Sequence, residues 1–458
     1  MRFDFFSSLR ALSRDAKLYL LSNVMQATSV GALAILYTLF LTALGYDAQL
    51  IGALAVIGTL GGALGLIPSG ALLDRVGWRS TLLFSNALGG AAILTQLLVP
   101  QRPILYVTTF LVGVSVAMTI VVNAPLLAGA STPAERTTLF GVNNALNFLA
   151  GVLGTLLGGF LPGWLRLPAV QNSALFTALS PLLVADPTAR SYQAALLIVG
   201  ALAIPSLIPI ILMRDERTRA ASAPQPPREP NAALPTEVGW SARARFLTNE
   251  GKQIARGPIG RFSASQLFIG LGAGLFFPFL SIYFVNELGA TTAQFGVLSS
   301  VQTVLLAGAA LLSAPLAARF GKLRLAIVAQ ALSLPFLIAL GVTPLLGVAA
   351  VAFLLRASLM NLGAPGLQAF YMEAVPEGKR GLASSVYNGA WQGAWALGAL
   401  IGGTLISLAG YGSVFLVAAV CYAASILLLA RWFGGARQHG VSEEPAGELA
   451  PALQSETV

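Results

Sequence analysis

Arg356 divides two apolar windows, 325–355 and 357–372, and no acidic residue lies in either. An arginine cannot shed its proton at such a depth, so it needs an anion, a ring of acceptors or water. That is binding chemistry. Other polar and aromatic side chains in apolar stretches point the same way: Gln26, Tyr37, Asn123, Asn147, Gln266, Gln302, Asn361, Trp391, Gln392 and Trp395. Each amide both donates and accepts, which suits hydroxyls, amides and ring nitrogens. Trp391 and Trp395 sit four apart on one helical face, where two rings can stack on a flat or apolar molecule. Each amide also has a plainer reading as a hydrogen bond between neighbouring helices. Catalysis lacks its materials. Cys421 is the single cysteine, His439 is the single histidine and lies in a polar tail, and the 18 acidic residues fall in loops, tails or helix ends. No nucleophile–base pair or metal-ligating set follows from these, and no phosphate-cradling loop precedes a lysine and Ser/Thr.

The elements that must hold these residues are membrane helices. The chain of 458 residues is 56% hydrophobic and only 10% charged, with mean hydropathy +0.77. A soluble domain carries about 25% charged residues, so a water-soluble enzyme is excluded. A spanning helix needs about 20 mostly apolar residues. Windows free of Asp, Glu, Lys and Arg run 18–46, 48–73, 80–101, 103–134, 137–165, 167–185, 191–213, 262–286, 288–318, 325–355, 357–372 and 381–430. The 325–355 window breaks at Gly341–Pro344 and the last at Gly410-Tyr411-Gly412, where glycine and proline punctuate helices. The window 167–185, with Pro168, Pro181, Gln171 and Asn172, reads as an outer loop with some surface helix, a possible lid. That leaves twelve predicted spans, six before the central segment and six after it.

Charge orients them. Arg102, Arg166 and Arg190 fall on outer loops, Arg356 lies within a helix, and the remaining Lys and Arg fall on inner segments with both termini inside. This is the positive-inside pattern of a multi-pass protein of the cell's inner (plasma) membrane. The net charge of +9 is therefore a topology signal rather than a nucleic-acid footprint, which would gather basic residues on one face with aromatics.

The expected domains are 1–213, a first six-helix bundle; 214–258, an inner linker; 259–433, a second bundle; and 434–458, a disordered tail. Ala220 to Pro235 is rich in Ala and Pro and reads as a tether. Trp240 to Arg261 sets Arg243, Arg245, Lys252, Arg256 and Arg261 beside Phe246, Leu247 and Ile254. That is either a basic helix on the membrane surface or a solvated linker. The halves align at an offset of 244: Leu44-Gly45 with Leu288-Gly289, Gly52 with Gly296, Arg75 and Gly77 with Arg319 and Gly321, Arg136 with Arg380, Asn144 with Asn388. Gly154, Gly158 and Gly159 likewise match Gly398, Gly402 and Gly403. In so Gly-rich a chain the glycine matches carry less weight than the Arg and Asn matches. Two parallel repeats imply a pseudo-two-fold axis along the membrane normal, with the binding site between the halves.

At the end of the second predicted helix the sequence reads Gly70-Ala-Leu-Leu-Asp74-Arg75-Val-Gly77-Trp78-Arg79, and its second-half copy reads Ala318-Arg319-Phe320-Gly321-Lys322 without the Asp. This resembles the signature loop of the major facilitator superfamily, and with the six-plus-six repeat the resemblance covers essentially the whole chain. It implies an all-α membrane fold of two pseudo-symmetric six-helix bundles that transports a small molecule by alternating access. It implies no enzyme activity and no cofactor, with coupling to a proton or ion gradient left open. The partners it implies are a small-molecule substrate and the lipid bilayer, and the working unit is a monomer. The matching family Asp caps a helix of the opposite half, so Asp74 is expected at the start of the eleventh helix, near Gly381 to Ser385, where the partial positive charge of a helix N-terminus favours a carboxylate. Arg75 or Arg79 is expected to pair with Glu135. Gly151-x-x-Gly154-x-x-x-Gly158-Gly159 resembles the family's antiporter motif with Thr155 in place of proline, and it serves close packing equally well. Family members often carry an arginine in the fourth helix. Here the offset places Val112 there and the arginine in the tenth, so that role does not transfer directly.

With no carboxylate at mid-depth, a cation-binding, proton-carrying exporter is disfavoured. The expected function is efflux of a neutral or amphiphilic compound. Two alternatives stand beside it: uptake or exchange of an anionic or sugar-like solute through Arg356, and a non-transporting receptor or lipid-handling protein on the same fold.

Overall fold

The computed structural model describes residues 13–129, 136–213, 257–375 and 380–434, and these are almost wholly helical, with no strand among them. Among the described residues ten helices are long and apolar enough to cross a membrane. Two of them are double length, Ala48–Leu98 with 51 residues and Arg380–Phe433 with 54. At about 1.5 Å per residue each would overrun a hydrocarbon core of about 30 Å more than twofold if straight. Neither is straight: Gly77 (φ 82°) and Gly410 (φ 75°) break them with backbone angles that a side chain resists. The helical segments are α1 (Arg14–Ala43), α2 (48–76), α3 (78–98), α4 (Arg102–Gly129), α5 (Arg136–Leu165), α6 (Pro187–Leu212), α7 (Pro258–Glu287), α8 (Thr292–Phe320), α9 (Lys322–Val342), α10 (Leu346–Glu373), α11 (380–409) and α12 (411–433).

The repeat is written into the backbone. Gly45 (φ 85°) and Gly289 (φ 70°) turn α1 into α2 and α7 into α8, and Gly77 and Gly321 (φ 87°) turn α2 into α3 and α8 into α9. Both pairs fall at the offset of 244. The caps repeat too: the Asp47 side chain accepts from Leu50 N, and Thr291 with Gln294 forms a capping box at the matched start of α8. These turns define two ends of the molecule, a first-turn end at Gly45 and Gly289 and a motif end at Gly77 and Gly321.

α7 is not one regular helix. Its α-helical part stops at Phe276, a 3-10 turn covers Phe277–Phe279, and a π turn covers Tyr283–Glu287. Pro278 lacks the N–H that a continuous helix needs there.

The apolar cores show how the halves sit. One cluster joins both halves at the first-turn end, from Ile35, Phe40 and Leu50 of the first to Phe279, Phe284 and Ile406 of the second. At the motif end the core is divided. Tyr19, Trp78, Leu126 and Met213 belong to a cluster of the first half alone, and Phe262, Tyr371, Leu429 and Phe433 to a cluster of the second alone. The molecule is closed at one end and parted at the other. Many large apolar side chains, such as Leu153, Leu408 and Val420, are exposed, far more apolar surface than water tolerates and of the kind that lipid satisfies.

Residues 167–185 do not span. They form short helices at Pro168–Gln171 and Ala174–Leu179 and a 3-10 turn at Ser180–Leu182, all too brief to cross. Gln193, fully buried on α6, ties the segment down: it accepts from Val184 N at 2.7 Å and donates to Leu182 O at 3.3 Å and to Leu97 O of α3 at 2.7 Å. The Ala/Pro tether, most of the basic 240–261 segment, the tail 435–458 and Glu135 lie outside the described residues.

Candidate functional site: a crevice between the halves

Two seams close the first-turn end. Along α5 and α8, a Cβ added at Gly296 would lie 2.7 Å from Thr155 O and 2.8 Å from Gly159 Cα. Along α2 and α11, a Cβ at Gly52 would meet Ala399 and one at Gly403 would meet Ala48. Gly52 with Gly296 and Gly159 with Gly403 are pairs at the offset of 244, so one contact is built twice. These glycine matches, which composition alone made weak, are points where the backbones of the two halves come too close for a side chain. Among the described residues three hydrogen bonds cross with them: Thr38 with Ser281 and Thr155 with Ser300, each at 2.7 Å, and Ser300 Oγ donating to Val152 O at 3.3 Å. Thr155, which takes the place of proline in the motif-like run on α5, therefore reaches across the seam. Gly154 and Gly158 instead pack against Thr28, Gly31 and Ala32 of α1, and Gly398 and Gly402 against α7. The small-residue run serves packing within a half and between halves.

The faces that touch at the seams continue toward the motif end and lose their partners. On α5 the contact face carries Gly159, Thr155 and Val152 and runs on, one helical turn at a time, through Phe148, Asn144 and Gly141, all exposed. On α11 the matched face carries Gly403 and Ala399 and runs on through Gln392, Asn388 and Ser385, also exposed. These stripes are the walls of a crevice that opens toward the motif end. Gln392 and Asn144 make no hydrogen bond among the described residues, whereas Asn388 donates to Ser384 O at 2.9 Å. Gln392 was expected here. Asn144 was legible only as half of a repeat pair.

The other expected residues divide. Gln26 donates to Asn86 Oδ1 at 2.8 Å, an interhelical bond inside the first half. Asn147 donates to Asn143 O and Asn361 to Ala357 O, each on its own helix. Asn143 in turn accepts from Asn23 at 2.7 Å, a partner pair that single residues on separate helices did not reveal. Tyr37 places a buried hydroxyl beside Thr109. Trp391 and Trp395 are half-buried on the shared core, and their backbones touch Gly270 and Gly274 of α7. Asn123 and Gln302 are half-buried, Gln266 is buried, and none of the three is hydrogen-bonded among the described residues.

Arg356 does not face the crevice. It is 2% exposed, enclosed within the second half. Its guanidinium carbon lies 4.9 Å from the centre of the Phe276 ring, 5.5 Å from Phe277 and 5.2 Å from Tyr422, and Nη2 donates to the Tyr422 hydroxyl at 2.7 Å. Among the described residues no carboxylate pairs with it; ring faces supply the negative potential, at about 0.5–2 kcal/mol each. Its Nε is buried without an acceptor. Tyr422, unremarked in the sequence, is the partner that a mid-membrane arginine required.

At the motif end the signature loop is open. Asp74 and Arg75 are exposed, and neither makes a hydrogen bond or ion pair among the described residues. The expected contact of Asp74 with the start of α11 is absent in this conformation, because the halves are parted at that end. Arg79 donates to Ile211 O, at the C-terminal end of α6, where a cation meets the negative end of a helix. Gly77 and Gly321 make the tight turns; Gly70 has open space around its Cβ position. In the second copy Arg319 lies 5.5 Å over the Phe320 ring, and Lys322 pairs with Glu373. No three of His, Cys, Asp and Glu gather as a metal site among the described residues.

A solved bacterial homologue of the iron transporter ferroportin, in an inward-facing state, superposes with a TM-score of 0.69 at 16% identity over 92% of this chain and 98% of that one. The nucleoside transporter NupG gives 0.66 at 12% identity over 92% and 99%. A bacterial homologue of the human lysosomal transporter Spinster, inward-facing and unoccupied, gives 0.65 at 14% over 94% and 96%. At these identities the likeness is one of fold. No curated protein matches the sequence. The family model of the Major Facilitator Superfamily matches residues 19–257 and 262–455, two stretches that meet at the start of α7, where the second half begins. With the paired turns, the signature loop and two bundles joined at one end, the chain is a member of the major facilitator superfamily, a transporter and not an enzyme.

Proposed function

We propose that the chain exports a neutral or amphiphilic small molecule by alternating access, through twelve crossings with both termini on the inner side. The two bundles are the 1–213 and 259–433 halves, and a monomer suffices because the crevice forms within one chain. The observation that carries the reading is the single apolar core at the first-turn end dividing into two at the motif end. Such a molecule has one closed gate and one open one, and reversing them carries a solute across. The chemistry of the walls supports the substrate class. Asn144 and Gln392 offer unbonded amides beside Phe148, with no charge among them, which suits hydroxyls and amides on a partly apolar body. Arg356, enclosed by rings inside the second half, is poorly placed to bind an anionic solute in this conformation.

Counterflow in proteoliposomes tests the reading. A nucleoside, a neutral lipophilic amide and an amphiphilic dye are each loaded inside, and uptake of the labelled compound is followed. Saturable counterflow of one of them, weakened by Asn144→Ala and by Gln392→Ala, is expected. Counterflow restricted to anions and abolished by Arg356→Gln would instead establish the anionic alternative, and binding without any counterflow would establish a receptor.

A further inference from the structure

Arg356 sits at the place where α7 stops being a regular helix. Phe276, under its guanidinium, ends the α-helical part with φ −126°, and Phe277 opens the 3-10 turn that contains Pro278. On one side of this break, α7 packs on the second half: Gly270 and Gly274 lie against α11, Gly272 lies against Tyr422, and Ser265 bonds Ser425 of α12. On the other side, the short piece Leu280–Ile282 carries Ser281, which bonds Thr38 of the opposite half. Just beyond it the Tyr283 hydroxyl donates to Leu340 O of α9 at 2.6 Å. Both sides of the break are thus held by the second bundle, and the stretch beyond it also carries Ser281, the contact with the opposite half at the first-turn end.

We propose that Arg356 is a positioning residue for transport: its cation, anchored by the Tyr422 hydroxyl, clamps the rings of Phe276 and Phe277 and sets the bend of α7 that holds the seam shut. A permanent charge suits the task because its attraction to a ring face varies smoothly with ring orientation and survives a small shift of the helix. An apolar side chain in the same space would fill it without preferring one bend. The buried Nε that lacks an acceptor fits a side chain placed for its contact with the rings rather than for a saturated hydrogen-bond set. The inference rests on alternating access but not on any substrate.

The experiment reads the seam without a substrate. Spin labels are placed at Gln101→Cys and Asn286→Cys, exposed positions near the first-turn end of each half, in a chain with Cys421→Ala. Distances are measured by pulsed electron paramagnetic resonance in lipid nanodiscs. Arg356→Gln should raise the population of the longer, open distance on the order of tenfold, Arg356→Lys should restore most of the parental distribution, and Tyr422→Phe should fall between them. A parental distribution in a monodisperse Arg356→Gln protein overturns the proposal. If that variant fails to fold, Tyr422→Phe decides by the same criterion. A titration of the parent with inorganic phosphate supplies a separate arm: a shift in distances that Tyr422→Phe abolishes would make Arg356 an anion ligand and overturn the clamp. Failure of the transport reading appears elsewhere, as absence of counterflow.

Discussion

Replacing Gly296 by alanine should open the first-turn end. The added Cβ would sit 2.7 Å from Thr155 O, 2.8 Å from Gly159 Cα and 3.2 Å from Gly159 N. Ordinary contact begins near 3.4 Å, so α5 and α8 must separate by about 0.6 Å or more, the kind of overpacking that costs roughly 1–3 kcal/mol. The neighbours are backbone atoms of a helix and cannot turn aside. The cost falls on the closed arrangement alone, since parted helices accommodate a methyl group freely. A penalty of that size moves a two-state equilibrium by about 5–150-fold toward the open seam. Separation also stretches the Thr155–Ser300 hydrogen bond, one turn along at 2.7 Å. The assay is the Gln101–Asn286 distance distribution, with Gly151→Ala as control, where nothing lies within 4 Å of the new Cβ. A longer component in Gly296→Ala and none in Gly151→Ala is expected. If Gly296→Ala retains both the parental distances and the parental melting temperature, backbone contact at this seam does not limit opening, and the account of the two seams is wrong.

The repeat makes a matched forecast: Gly52→Ala, working through α11, should shift the same distance in the same direction as Gly296→Ala. At the turns, Gly77→Ala and Gly321→Ala should each lower stability by about 1–3 kcal/mol, because both positions combine positive φ with an extended ψ that side chains resist; thermal unfolding in detergent reads this, and Gly70→Ala should be close to neutral. Asp74→Asn should leave abundance unchanged and slow transport. Asp74 has no partner among the described residues while the motif end is parted, so a helix-cap contact belongs to the opposite conformation and is worth about 0.3–2 kcal/mol there; uptake kinetics equal to the parent's would count against that role. Gln193→Ala should free the 167–185 segment at a cost of about 1–3 kcal/mol, by orphaning the buried carbonyl and amide groups it joins; limited proteolysis within that segment should quicken, and an unchanged cleavage rate would show that other contacts hold it.

Much of this architecture follows from local rules. Charge-free apolar windows mark the helices because lipid tolerates little else. The breaks at Gly341–Pro344 and Gly410–Gly412 appear where glycine and proline demanded them: α9 ends at Val342, and Gly410 takes positive φ. The repeat offset located both pairs of turns. None of this needs knowledge of a neighbour, since helix length, backbone angle and capping are decided within a few residues.

Which residues line the path is a different kind of fact. Helical periodicity says that Phe148, Thr155 and Gly159 share a face, but not what that face meets; rotation about the helix axis is set by packing. Hence Gln26, Asn147 and Asn361 turned to partners within their own halves, while Asn144 entered the crevice wall. Arg356 could be recognised as a buried charge in need of company from its place in the sequence. That its company is the aromatic break of α7 and a tyrosine 66 residues away was decided by the tertiary fold, because only packing brings ring faces around a cation. The glycine matches make the same point. Their composition is unremarkable in this chain, and their meaning appears only where two backbones come too close for any side chain.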